Sequence, residues 1–198
     1  MPTPDNDIAI ANWNAMLSGS QEAFTKLMQE FYAELFRYGY SLHQDDDAVK
    51  DCIQNLFLNL WRTKGNLRPI TNVKFYLLKS LRRELHKEVL RDSSQAEKQE
   101  QFLRVQDDQS YSREDLMISK EEQAQLVSRV TEGILTLSAR QQEIIYLRFY
   151  MDMKPEEIAE IISLQRQSVY NLLSDALKRL KENIQLPVSG EKPAEKNF

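Results

Sequence analysis

The stretch EIAEIISLQRQSVYNLLSDALKRL, from Glu157 to Leu180, reads as two short helices meeting at a turn. If Arg166 to Leu180 is one helix, Val169, Leu172, Leu173, Ala176, Leu177 and Leu180 fall on a single apolar face at ~100° per residue, with Gln167, Asn171, Ser174 and Lys178 opposite. In a helix-turn-helix the first helix, here Glu156 to Ile162, crosses the DNA backbone, and the N-terminal residues of the second meet base edges in the major groove. Gln165, Arg166, Gln167, Tyr170 and Asn171 are therefore candidate readers. Their chemistry suits the position, because Gln and Asn pair bidentately with adenine and Arg with guanine, while Lys178, Arg179 and Lys181 suit phosphates. A helical hairpin with a solvated polar face accounts for this element equally well.

Outward from this element, apolar residues repeat at helical spacing almost everywhere, and no run of alternating residues argues for a sheet. An all-α fold is expected. Phe24, Leu27, Met28, Phe31 and Leu35 form one stripe, Val49, Cys52, Ile53, Leu56, Phe57 and Leu60 a second, and Leu78, Leu81, Leu85 and Val89 a third. These three should pack together as a bundle. After Arg91 the pattern gives way to DSSQAEKQEQFLRVQDDQSYSRED, polar and sparse in large apolar residues, and resumes near Leu116 to Val130. The spacing predicts two small helical domains, residues 20–91 and 120–186. An N-terminal segment (1–19) precedes them, a flexible acidic linker (92–119) joins them, and a disordered tail (187–198) follows. In the second domain Ser138 and Gln141 have the spacing of a capping box ahead of Ile144, Ile145, Leu147 and Phe149, and Pro155 suits the first turn of the next helix.

Composition narrows the function. No run reaches the roughly eighteen apolar residues of a membrane span, and the start, MPTPDNDIAI, lacks the basic and apolar regions of a signal peptide, so a cytoplasmic protein is expected. The single Cys52 cannot form an internal disulfide, and with only His43 and His86 beside it no metal-ligand spacing arises. Cys52 lies on an apolar stripe and reads as a small buried hydrophobe. There is no nucleotide-binding loop, no nucleophile and base at a recognisable spacing and no acidic dyad on an apolar face. Neither an enzyme nor a cofactor is expected.

The formal charge of -4 conceals an uneven distribution. From Arg62 to Arg91 nine Lys or Arg stand against Glu84 and Glu88, whereas residues 92–115 hold seven acidic residues against three basic ones. On the third stripe's helix Tyr76, Lys79, Arg83 and Lys87 share the face opposite the core, an aromatic ring among cations that suits nucleic acid. A basic solvated face is the plainer alternative. On the second stripe's helix Asp51, Gln54, Leu58 and Trp61 form a surface that leaves two large apolar side chains in water, which suggests a protein partner. Coverage by the N-terminal segment around Trp13, Met16 and Leu17 is the alternative there.

Three stretches, DDDAVKDCIQNLFLNLW, NVKFYLLKSLRRELHKEVLR and LSARQQEIIYLRFYMDMKPEEIAEIISLQRQSVYNLLSDALKRL, occur in that order, and the sequence resembles the extracytoplasmic-function sigma factors of bacterial RNA polymerase over about residues 20–91 and 120–184. The resemblance implies a sigma-2-like bundle that binds the polymerase clamp and melts and reads the minus-10 element, and a sigma-4-like helix-turn-helix that reads the minus-35 element. It implies clamp contacts from Asp51, Gln54, Phe57, Leu58 and Trp61, minus-10 contacts from Tyr76, Lys79, Arg83 and Lys87, and minus-35 contacts from Gln165, Arg166, Gln167, Tyr170, Asn171 and Lys178. Core RNA polymerase, promoter DNA and an anti-sigma factor are the implied partners. Ser163 stands where the family's turn often has Gly, and Arg83 and Lys87 stand where many members have Asn and Asp. A stand-alone helix-turn-helix regulator binding symmetric half-sites is the second reading, and a helical adaptor that binds only proteins is a third.

Overall fold

In the computed structural model the described residues are 4–92 and 120–185, and every element among them is helical. The proposed linker and tail, residues 93–119 and 186–198, lie outside the described residues. Four helices, α1 (Pro4–Leu17), α2 (Gln21–Leu42), α3 (Asp46–Thr63) and α4 (Val73–Asp92), form the first unit. The second holds α5 (Lys120–Leu135), α6 (Ala139–Ile145), a π-helical turn (Tyr146–Tyr150), α7 (Pro155–Ile161) and α8 (Arg166–Gln185). No described helix is long and apolar enough to cross a membrane, and no described group of His, Cys, Asp and Glu could hold a metal ion.

Local chemistry sets the helix starts. Ser20 opens α2 by accepting the Ala23 amide, and Asp45 opens α3 by accepting those of Asp47 and Ala48. The capping box forms as expected, with Ser138 Oγ accepting the Gln141 amide and Gln141 Oε1 accepting the Ser138 amide. Pro155 occupies the first turn of α7, where its missing N–H costs nothing.

The three stripes meet in one core, with Leu27, Leu35, Ile53, Phe57, Leu78, Leu81 and Leu85 buried. Met28 and Phe24 lie at its margin, partly buried. The thiol of Cys52 is buried and pushed up to about 11, chiefly by burial and then by the charges of Glu88, Glu84 and Asp51. Val89 falls at a position whose side chain is not described. Helix α1, set apart in the sequence as an N-terminal segment, belongs to this core. Its Trp13 and Met16 are fully buried, and the Trp13 indole donates to the Arg68 carbonyl (3.2 Å).

Two apolar residues of the second unit stay in the open. Phe149 is 61% exposed, since it stands two residues past the buried Leu147 and so on the opposite side of the helix, within the π-helical turn that bonds Met151 N to Tyr146 O (3.1 Å), five residues back. Leu177 is also exposed, at the edge of the seam where Leu137, Ile145, Ala176 and Leu180 pack.

The tightest approach in the first unit is at Gly39 of α2, where a Cβ would stand 2.7 Å from Val49 Cγ1 on α3. Gly39→Ala should therefore destabilise the chain by about 1–3 kcal/mol, the cost of overpacking a filled core. In urea unfolding that cost should shrink in a Val49→Ala background, where the obstructing methyl is gone.

Candidate nucleic-acid interface

The turn between α7 and α8 is built from Ile162 to Gln165. Ser163 takes a left-handed conformation (φ 57°), and the Leu164 amide donates to Ala159 O (2.9 Å), closing α7. The position that often carries Gly thus keeps a glycine's backbone with a serine in it. Underneath, Ile158, Ile161, Ile162 and Val169 are buried, which fixes the angle between the helices.

All of the candidate readers emerge on the open side. Gln165, Arg166, Gln167, Tyr170 and Asn171 are exposed and gather at the start of α8, while Lys178 is exposed two turns further on. The Gln167 amide donates to Asn171 Oδ1 (3.0 Å). Arg166 donates to the Tyr170 hydroxyl (3.2 Å) and pairs with Glu156 of α7 (2.7 Å). The bond to Tyr170 and the Glu156 charge hold its pKa above the ordinary value. Glu156 was not among the sequence candidates, since its partner lies across the turn.

The α4 candidates divide. Tyr76 is half-buried with its ring edge-on to Trp13 (4.9 Å between centroids) and lines a groove between α3 and α4 together with Asn59, Thr63, Ser80 and Arg83. Arg83 and Lys87 are exposed, the latter paired with Glu84 (2.9 Å). Lys79 is paired across the units, its ammonium reaching Glu160 of α7 (3.0 Å) in a contact that stays open to solvent. On α3, Asp51, Gln54 and Leu58 are exposed, with Leu58 at 44%. Trp61 is half-covered by Phe24 (4.9 Å between centroids) and by the Lys64 ammonium, and Leu58 is left open, since α1 packs mainly on α2 and α4. Phe57 is buried, so it supports this surface from beneath.

A feature absent from the sequence reading joins the two units. Glu143 of α6 has no exposed side-chain surface, and Arg82 Nε donates to its Oε1 (2.7 Å) and Arg82 Nη2 to its Oε2 (3.3 Å). The Tyr38 hydroxyl also donates to Oε1 (3.0 Å). Burial, reinforced by the Glu143 charge, raises the Tyr38 phenol well above its ordinary pKa and keeps it a donor. Burial opposes the Arg82 cation, but the bond and charge of Glu143 outweigh it and raise its pKa. Asn72, whose Oδ1 accepts the Phe75 amide at the start of α4, donates its Nδ2 to Glu157 Oε1 (2.7 Å).

Fold and site together define an all-helical, two-unit protein with a helix-turn-helix whose recognition helix is open. Residues 128–180 match the family described as "Sigma-70, region 4". Among solved structures, the chain is similar to CnrH in a complex with the cytosolic domain of CnrY, at 16% identity over 88% of this chain and 96% of that one, with a TM-score of 0.58. It is similar also to the sigma factor RpoE in a complex with the anti-sigma factor NepR from Bartonella quintana, at 20% identity over 82% and 97%, with a TM-score of 0.55. No curated protein matches the sequence. The sigma-factor resemblance is thereby borne out, by family in the helix-turn-helix unit and by fold along the rest of the chain.

The left-handed serine provides a test of the turn. An L-residue there costs about 1–2 kcal/mol, of which a glycine returns part to unfolded-chain entropy, so Ser163→Gly should stabilise the chain by up to ~1 kcal/mol. Ser163→Val, β-branched and worse suited to positive φ, should lose about 1–3 kcal/mol in the same thermal or urea unfolding measurement.

Proposed function

We propose that the chain is a transcription initiation factor of the extracytoplasmic-function type, which binds core RNA polymerase and directs it to promoters by reading minus-10 and minus-35 elements. The carrying observation is the region 4 match, which coincides with a helix-turn-helix whose reader side chains are open, in a fold shared with solved sigma factors. A stand-alone regulator is not favoured. In this reading residues 20–91, extended by α1, form the polymerase and minus-10 domain, and residues 120–186 form the minus-35 domain. The protein works in the cytoplasm and contributes binding, with no chemistry of its own.

Gln165, Arg166, Gln167, Tyr170 and Asn171 read the minus-35 bases, with Lys178 on the backbone. Arg83, Lys87, Lys79 and the Tyr76 groove serve the minus-10 strand. Asp51, Gln54, Leu58 and Trp61 dock on the polymerase, with Phe57 backing them. An anti-sigma factor is a further partner, supported by the likeness to RpoE, whose solved structure is a complex with one.

A pull-down with core polymerase tests the central claim. Leu58→Arg places a charge in the middle of the α3 surface and should weaken polymerase binding by about 2 kcal/mol or more, the usual weight of a central anchor. Circular dichroism should be unchanged. A folded variant that binds polymerase as tightly as the parent would remove α3 from the interface.

On promoter DNA, Ala at Arg166, Gln167 or Asn171 should alter sequence preference by about 1–3 kcal/mol, whereas Lys178→Ala should weaken all sequences alike. Parallel losses on every promoter from both kinds of variant would mean that α8 does not read bases.

A further inference from the structure

Besides filling the core of the first unit, helix α1 holds the segment that joins α3 to α4. Residues 64–72 contain one short 3-10 turn, Lys64–Asn66, closed by the Leu67 amide donating to Lys64 O (3.2 Å). Beyond that turn two carbonyls are tied to α1, that of Arg68 by the Trp13 indole N–H (3.2 Å) and that of Thr71 by the Asn6 side-chain amide (3.0 Å). Leu67 and Ile70 pack against the core, and Pro69 between them restricts the backbone. A chain fixed on both sides of Arg68 leaves that side chain directed outward, and Arg68 is exposed. Lys64, the other cation of the segment, is engaged by the Trp61 carbonyl (3.1 Å) and ring, whereas among the described residues Arg68 makes no ion pair.

The same segment runs from the end of α3 at Thr63 to the first turn of α4, which carries Tyr76, and both residues line the groove between these helices. Trp13 reaches both sides of this junction. Its N–H holds the Arg68 carbonyl, and its ring stands edge-on to Tyr76 (4.9 Å between centroids, 66° between planes). With no exposed surface of its own, Trp13 cannot meet a ligand. It can fix where Arg68 and Tyr76 stand relative to each other, and a ring beside a cation is how single-stranded nucleic acid is gripped, by stacking on the one and backbone charge on the other.

We infer that α1 is a brace for this groove: Trp13 and Asn6 are positioning residues that hold Arg68 where it meets a phosphate of the strand lying on Tyr76. The inference rests on the proposed minus-10 reading for the identity of that strand. A segment held in place beforehand loses less conformational freedom on binding than one that must be ordered, so the brace contributes to affinity without touching DNA.

Binding of the full chain to a fluorescent single-stranded DNA of random sequence tests this. Tyr76→Ala combined with Arg83→Ala should weaken binding by about 10-fold or more, which marks the groove as the site. Arg68→Gln keeps the carbonyl that Trp13 holds. It should weaken binding about threefold and lower the slope of log affinity against log salt by about 0.7, the value of one phosphate contact on a single strand. Asn6→Ala removes no charge and no DNA contact, yet should weaken binding roughly threefold, and Trp13→Phe, which loses the N–H and keeps a buried ring, at least as much. In the Arg68→Gln background Asn6→Ala should cost almost nothing further, because the brace acts through Arg68.

Trp13→Phe also removes core volume, so Asn6→Ala, whose bond is exposed, decides the question if the former folds poorly. Asn6→Ala without effect, or with a loss that multiplies undiminished with that of Arg68→Gln, would reduce α1 to a support of the fold and overturn the inference. If the groove variant loses affinity while Asn6→Ala does not, the minus-10 assignment stands and the brace alone is overturned. A Tyr76→Ala/Arg83→Ala variant that binds like the parent would instead remove the groove from the minus-10 assignment, and the brace would fall with it.

Discussion

A carboxylate with no exposed surface has to be compensated where it sits, and Glu143 is such a group at the meeting point of α2, α4 and α6. Arg82 supplies two N–H donors and the opposite charge, and Tyr38 supplies a third donor whose proton stays on because its own burial raises the phenol pKa. Burying such a pair adds little net stability over apolar residues of the same shape, but an incomplete set is very costly. The arrangement therefore acts on geometry more than on stability. The apolar surfaces of α4, α6 and α7 could slide over one another with small changes in buried area, whereas the Arg82 fork meets both oxygens of Glu143 in only one register. Asn72 with Glu157 and Lys79 with Glu160 then extend that register along α4.

What the sequence made legible was periodic or local. The stripes of α2, α3, α4 and α8 repeat at helical spacing, and the start of α6 lies in Ser138 and Gln141 three residues apart, so these needed no tertiary knowledge. Helix α1 was harder, because Ala9, Trp13 and Met16 are only three core positions among asparagines and exposed residues such as Ile8. Phe149 shows the limit of counting apolar residues without their phase, since a residue two past the buried Leu147 falls on the opposite side of a helix. The Tyr38, Arg82 and Glu143 set lay beyond reach for another reason. Its members stand 61 and 105 residues from Glu143, and an isolated glutamate in QQEIIYL reads as an exposed helix residue until its neighbours are known.

The candidate sites show the same division. The α8 candidates were legible as a set because a short helix segregates its polar and apolar faces, and all of them are on the open side. The α3 surface was legible in outline, but one stripe position is either core or surface, and Phe57 proved to be core. On α4 the periodicity correctly turned Lys79 away from its own bundle, yet it could not show that a second unit would be waiting there. Charge segregation along the chain gave the only hint. A strongly basic segment in an acidic protein must find its counter-ions somewhere, and here part of the answer is α7.

The ionic contacts of this molecule come in two grades, and the difference determines which of them can be exchanged. Arg166 and Glu156 keep 63% and 46% of their side-chain surface, so their short contact is worth little in water, and losing it to a base or a phosphate costs the protein almost nothing. The bond from Gln167 to Asn171 lies on the same exposed surface and is equally replaceable. Until it is replaced, it holds two amides in a fixed relative orientation and reduces the rotamer freedom that would otherwise be lost on binding. The Arg82 contact with Glu143 has no such freedom, because water cannot take the place of either partner while the units are docked. Contacts at the start of α8, and the exposed pair of Lys79 with Glu160, can therefore trade partners one at a time, whereas the buried contact of Arg82 with Glu143 is made or broken only as the units dock or part.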